Sequence, residues 1–286
     1  MTINIGVTGW GDHEILYPDK TPSKDKLAVY SSHFPVVEVD SAFYGIQPQR
    51  NYEKWVSETP ERFSFVIKAY QKMTGHDRST MNNQEAKDLF KAYYDSILPV
   101  LDAQKLDAVL FQFPPWFEVS QENVGKLKKI RRLLPDLPLA LEFRNQSWFE
   151  EKYKQNTLRF MKEEGWIHTI CDEPQAGRGS VPAVLEPTSV HKTLIRFHGR
   201  NVHGWNRNGN KDWRAVRFLY NYNQAELLEW ADNIKKLSEQ SKNITVLFNN
   251  NSGGDAAANA KQLIALLGID YTELNPRQLD LFNNNG

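Results

Sequence analysis

Eight short apolar runs, most of them followed by a stretch with helical spacing, recur in order along 286 residues. This alternation constrains the chain more than any other feature. The runs cover 3–8, 36–40, 63–69, 106–113, 138–144, 166–172, 192–198 and 243–248. Most are continuously apolar before a polar end, as strands are when a sheet is buried on both faces. Between them, residues 86, 89, 90, 93, 97 and 101 are apolar at a period near 3.6, which predicts a helix over 84–101. Further helices are predicted from Ser23 or Asp25 to His33, and over 49–59, 121–134, 157–164 and 256–267. Asn223 can cap another that turns Leu227, Trp230, Ile234 and Leu237 inward. Eight strand–helix units in one chain of this length predict a (β/α)₈ TIM-like barrel, class α/β, in a single domain. A doubly wound open sheet is the alternative. Residues 1–270 form the predicted barrel, and 271–286 a C-terminal tail.

Thirty-five Lys and Arg balance thirty-five Asp and Glu, so no global field draws the protein to nucleic acid or a membrane surface. The single Cys171 excludes an internal disulfide and a cysteine zinc cluster. No basic segment followed by an apolar stretch opens the chain, and no apolar run approaches the ~20 residues that span a bilayer. A soluble, cytoplasmic protein without a membrane partner is expected.

Alternation along each strand sorts side chains between lumen and helix layer. Glu38 and Asp40 share a face, as do Ala140, Glu142 and Arg144, then Arg196 and His198, then His168 and Asp172. Gly6 and Thr8 fall together, and Lys68 and Gln112 each stand near a strand end. The charged sets are expected to point into the barrel near the C-terminal strand ends, where enzymes of this fold build their sites. A purely structural salt-bridge network is the competing explanation. Buried ion pairs are poor stabilisers, so a ligand pocket is the preferred one.

Three chemistries fit these residues. Glu142, Asp40, Asp172 and His198 can act as acids, bases or metal ligands, with Mg or Mn suited to a carboxylate site. Two of the carboxylates can instead serve glycoside hydrolysis, with Trp10, Trp148 and Tyr44 stacking on a sugar. Lys68, Arg144, Arg196 and Arg200, with Gln112, Asn249 and Asn250, suit a small anionic or phosphate-bearing ligand. Trp205 and Trp213 in the basic stretch 200–217 suit stacked bases of single-stranded nucleic acid, or else pack down on the barrel rim.

Ordered blocks spread over nearly the whole chain resemble the YecE-like family, domain of unknown function 72. They include Gly6–Trp10, the run from Glu38 to Tyr44, Phe63 to Ala69, and Phe111-Gln-Phe-Pro-Pro115. They continue with Glu142-Phe-Arg144 into Ser147-Trp148, then Arg196-Phe-His-Gly199, and Phe248-Asn-Asn250 with Gly253-Gly254. The resemblance implies a TIM-like barrel with these polar residues around its mouth, and no established reaction. The chain departs from the family pattern at Asn145 and Asn251, where His is common, at Asp40, where Asn is common, and at Gly75. An Asn cannot act as a general base near neutral pH, which argues against proton transfer at 145 or 251.

In the tail, Gln278, Leu279, Asp280, Leu281 and Phe282 look like the peptide by which bacterial replication and repair proteins dock on the sliding clamp. The alternative is a final amphipathic turn that covers the barrel bottom. The combined expectation is an enzyme for a phosphate-bearing substrate, with nucleic acid in a repair setting as one form of it. In it Arg144, Arg196 and Lys68 neutralise phosphate, and His198 transfers a proton or binds metal. A carbohydrate-active hydrolase and a non-catalytic adaptor docking through its tail are the alternatives.

Overall fold

Register across the first and last strands decides between a closed barrel and an open sheet. The computed structural model describes residues 1–206 and 213–276. Its strands are β1 (Thr2–Thr8), β2 (Val36–Val39), β3 (Ser64–Lys68), β4 (Leu106–Gln112), β5 (Leu139–Glu142), β6 (Ile167–Asp172), β7 (Lys192–Phe197) and β8 (Asn243–Phe248). Each pairs in parallel with its sequence neighbours, and β1 pairs β8 from Thr2↔Asn243 to Val7↔Phe248. The barrel is closed in the order β1 to β8, which excludes the open sheet.

Side-chain parity builds two cores. Val36, Val66, Ala108, Leu110, Ala140, Ile167, Leu194 and Leu247 fill the lumen. Residues of opposite parity, such as Val37, Val39, Ile67, Val109, Leu141, Ile170 and Ile195, pack outward against the helices. Both sets are buried, which is why the runs read as continuously apolar.

Local chemistry explains most departures from the expected boundaries. The helix expected over 84–101 is two helices, Asn83–Ser96 and Leu98–Asp102. Pro99 has no N–H to give the preceding turn, so the first helix stops and a second begins with the proline near its start. Asn82 and Glu85 close the first helix's N-terminus with a reciprocal capping box. Ser41–Tyr44, following β2, is a helical turn that carries the chain over the rim. No helix among the described residues is long and apolar enough to cross a membrane.

Strand β1 meets β2 through only two registered pairs, Val7↔Val37 and Thr8↔Glu38. Below them two tyrosine hydroxyls take over the ladder's work. Tyr30 Oη accepts from Val7 N (2.9 Å) and donates to Val36 O (2.8 Å). Tyr271 Oη accepts from Ile5 N and donates to Ile3 O, both at 3.0 Å. Gly6 makes the approach possible, since a Cβ there would lie 2.0 Å from Val36 O. Asn275 then ties the chain end to Ser31 and to Glu58 O, so residues 271–276 lie across the barrel bottom. Gly6→Ala is expected to destabilise by about 2 kcal/mol or more through overpacking against fixed backbone. Tyr30→Phe should cost ~1–3 kcal/mol by orphaning a buried amide. Urea denaturation checks both, and an unchanged midpoint in either variant contradicts this account.

Candidate active site at the barrel mouth

At the C-terminal ends of the strands, acids and bases from four strands form one buried chain. Arg196 on β7 grips Glu38 on β2 with two prongs, Nε to Oε2 at 2.8 Å and Nη2 to Oε1 at 2.7 Å. Its Nη1 also reaches Glu142 Oε2 on β5 at 2.7 Å. Arg144 Nε donates to Glu142 Oε1 (2.6 Å), and Arg144 Nη1 to Glu173 Oε2 (2.7 Å) just past β6. The other Glu173 oxygen accepts from Val181 N at 2.6 Å. Beside this chain, Lys68 at the end of β3 donates to Asp40 at 2.7 Å.

The field inside the barrel sets the protonation states. Burial alone would raise Glu142, but Arg144 and Arg196 hold its carboxyl well below the usual carboxylate range. Asp40 is likewise lowered, with Lys68 outweighing burial. Burial pushes Glu173 up to about 7 against the pull of Arg144. His198 is driven well below its ordinary value by burial and by the two neighbouring arginines. Its Nε2 lies 2.9 Å from Arg144 Nη2, so this nitrogen accepts and the ring is neutral. Its Nδ1 then carries the ring proton and lies 3.0 Å from the Asn249 side-chain amide, which meets it as an acceptor.

Half of the mouth is roofed. The Trp205 ring lies over the Arg144 guanidinium at 5.3 Å, and Phe218 lies 5.9 Å from His198. Arg217 stacks on Trp205 (4.3 Å), Trp213 (4.7 Å) and Phe218 (5.2 Å). Trp205 Nε1 donates to Gly179 O and Trp213 Nε1 to Trp205 O, so both indoles are spent on the protein. Glu38, Glu142, Arg144, Glu173, Arg196 and His198 are consequently buried. The β1–β4 side is different. Thr8, Trp10, Asp40, His76, Gln112 and Asn249 are half-buried there, and Tyr44 and Trp116 are exposed on the rim.

Several expected site residues lie elsewhere. Asp172 points outward, accepting from Trp230 Nε1, from Tyr222 Oη at 3.0 Å and from Arg200 Nη2 at 2.6 Å. On β6 the lumen row is Ile167, Thr169, Cys171 and Glu173, while His168 bonds Glu186 O on the helix side. Arg200 is therefore an outer partner of Asp172 and no part of the pocket. Trp148 is buried in the helix layer, stacked 4.1 Å from Phe143 with Nε1 donating to Phe117 O. Asn250 is buried between Tyr220 O and Asn259. The stretch Gln278 to Phe282 lies outside the described residues. Sequence reasoning missed Glu173, Cys171, Arg217 and the placement of His76. The one available signal for Glu173 was its shared parity with Thr169 and Cys171, which the charges of His168 and Asp172 outvoted.

The acids do not fit a hard cation. Mg and Mn need several converging oxygens, whereas Glu38, Asp40 and Glu142 each face a guanidinium or ammonium and Asp172 turns away. Glu142, Cys171 and His198 offer ligand atoms within 4.8 Å of one another. Yet Arg144 and Arg196 occupy the carboxylate, Arg144 occupies His198 Nε2, and burial holds the Cys171 thiol protonated. Arg196→Met, which strips both Glu38 and Glu142 of a partner, is expected to destabilise by about 3–5 kcal/mol. Equilibrium denaturation measures it, and a loss below about 1 kcal/mol would show the network to be dispensable.

The chain is similar to known proteins along nearly its entire length. It is 57% identical over 281 residues to UPF0759 protein YunF of Bacillus subtilis (strain 168), covering 98% of this chain and all of that protein. The crystal structure of a DUF72 family protein from Enterococcus faecalis V583 superposes with a TM-score of 0.89 at 39% identity, covering 98% of this chain and 100% of that one. A second, from Thermotoga maritima MSB8, gives 0.81 at 28% identity, over 94% and 100%. The family model described as a protein of unknown function, DUF72, matches residues 4–280. The chain belongs to the DUF72 family.

Proposed function

We propose that the protein is an enzyme that takes a small phosphate- or carboxylate-bearing substrate at the open half of the barrel mouth. The observation that carries this reading is the reachable Lys68–Asp40 pair, set before a buried bank of guanidinium groups. Asp40 keeps 34% of its side chain exposed and Lys68 10%, against 0–3% for the acids and arginines behind them. Lys68, Arg144, Arg196 and Arg217 face Glu38, Asp40, Glu142 and Glu173. Because burial pushes Glu173 up to about 7, one acid is partly neutralised near physiological pH and the balance tips positive. Gln112 and Asn249 add amide donors on the open side.

The alternatives draw less support. A paired-carboxylate glycosidase needs a protonated acid within reach of the substrate, whereas the reachable Asp40 is lowered beside Lys68, and Glu38, Glu142 and Glu173 are buried against arginines. Trp148, expected as a sugar platform, is in the helix layer. For single-stranded nucleic acid, Trp205 is buried and Trp213 is half-buried with its indole N–H bonded to Trp205 O, and zero formal net charge offers no polyanion field. Calorimetry with inorganic phosphate, fructose 6-phosphate and fructose tests the reading. Phosphate and fructose 6-phosphate should bind, with affinity falling at least ~10-fold in Lys68→Ala, about 1.4 kcal/mol. Equal binding of unphosphorylated fructose, or an indifferent Lys68→Ala, would sink it.

The tail sequence supports a separate docking role. Tyr271 and Asn275 anchor the chain on the face opposite the mouth, a few residues before the Gln278–Phe282 pattern in sequence. Pull-down of a bacterial sliding clamp by the full chain should be lost in Leu281→Ala/Phe282→Ala. Undiminished capture by that double variant would remove this role.

A further inference from the structure

His76 lies in the loop after β3 and belongs to none of the networks described above. Its ring is held edge-on between Phe43, centroids 4.9 Å apart at 85°, and Trp116, 6.0 Å apart at 70°. The Thr74 hydroxyl sits 2.8 Å from His76 Nδ1 and 3.1 Å from the Gln71 carbonyl. A hydroxyl has one proton and a carbonyl can only accept. Both contacts are hydrogen bonds at once only if the Thr74 proton goes to Gln71 O and Thr74 Oγ1 accepts from His76 Nδ1–H. That relay fixes the tautomer and leaves the lone pair on Nε2, which has no hydrogen-bond partner among the described residues. Gly75, at φ +76°, makes the turn that folds His76 back onto Thr74, and the His76 N–H closes it on Gln71 O at 3.1 Å.

The surroundings place this ring at the open mouth. Phe43 also lies under the Lys68 ammonium, 4.6 Å from the ring centroid. The charged groups that act on His76 are Lys68 from β3 with Arg144 and Glu142 from β5. Arg78 covers the far side of Trp116 at 4.4 Å.

We propose that His76 is the catalytic base of this site and Thr74 its positioning residue. The inference rests on the anion-binding reading above and adds the group that moves the proton. Nε2 takes a proton from a hydroxyl of the bound substrate, whose O–H electron pair stays on the oxygen. The imidazolium so formed still donates Nδ1–H to Thr74, and returns the Nε2 proton at the end of the cycle. Burial, followed by the positive charges of Lys68 and Arg144, holds free His76 down to about 4, so the ring is neutral before substrate arrives. An anion seated against Lys68 offsets that charge and strengthens the base only when there is a substrate to act on.

Carbethoxylation by diethyl pyrocarbonate, mapped by mass spectrometry on the full chain, reads the neutral Nε2 directly. Two short unstructured histidine peptides added to the sample serve as references. At pH 5.5 the references should slow about 10-fold relative to pH 7.5, as free imidazoles near 6.5 do. His76 should keep nearly its full rate. Thr74→Val should lower the His76 rate at Nε2, and Thr74→Ser should restore it, a rescue that packing alone does not provide. Adding inorganic phosphate should return a pH dependence to His76. An unreactive His76, one that slows with the references, or one indifferent to Thr74→Val overturns the proposal. Should calorimetry find no phosphate binding, the anion reading falls, while the phosphate-free rates still decide the role of His76.

Discussion

A carboxylate buried inside a barrel has to be paid for by cations, and the mouth of this one is arranged around that requirement. Glu142 is wholly buried and lies between two guanidinium groups, with Arg144 beside it on the same strand and Arg196 across the lumen. Arg196 spans from Glu38 on β2 to Glu142 on β5, although it stands on β7. One side chain thus ties together three strands that are not neighbours in the sheet. Losing any member leaves an uncompensated charge in a low-dielectric interior, which costs far more than the intact set gains. The registers of β2, β5 and β7 are coupled through it.

That network divides the mouth in two. On the β5–β7 side it is saturated and roofed by Trp205, Phe218 and Arg217, so its groups act as a fixed electrostatic background. On the β1–β4 side the Lys68–Asp40 pair, Gln112, Asn249 and His76 keep contact with solvent. In the proposed function, binding and proton transfer fall to the open side and charge stabilisation to the closed one. A bank of arginines already pinned to acids needs little reorganisation when an anion arrives nearby, and such preorganised charge is the most effective kind.

The residues show why some of this was legible and some was not. The inward parity of Glu38, Glu142, Arg144, Arg196 and His198 followed from the two-residue repeat, because each strand carries a charge opposite an unbroken apolar row. On β6 both rows carry polar groups, and the rule lost its discrimination. His168 and Asp172 looked like the pocket side, yet Asp172 serves Trp230 and Tyr222 in the helix layer, while Cys171 and Glu173 face the lumen. Trp148 failed for a related reason. Its aromatic surface suits a sugar as well as it suits Phe143, and only packing shows which neighbour it has.

The sequence by itself determined the number and order of the strands, the (β/α)₈ architecture and most of the charges at the strand ends. Those properties depend on periodicity and local chemistry, which survive in one dimension. Tertiary structure alone decided which charges saturate one another, which half of the mouth is covered, and that the Thr74 hydroxyl sits between His76 Nδ1 and Gln71 O. These outcomes depend on contacts across the lumen and between loops. Residues 54 and 158 positions apart there meet at 2.7 Å, and no spacing rule carries that information.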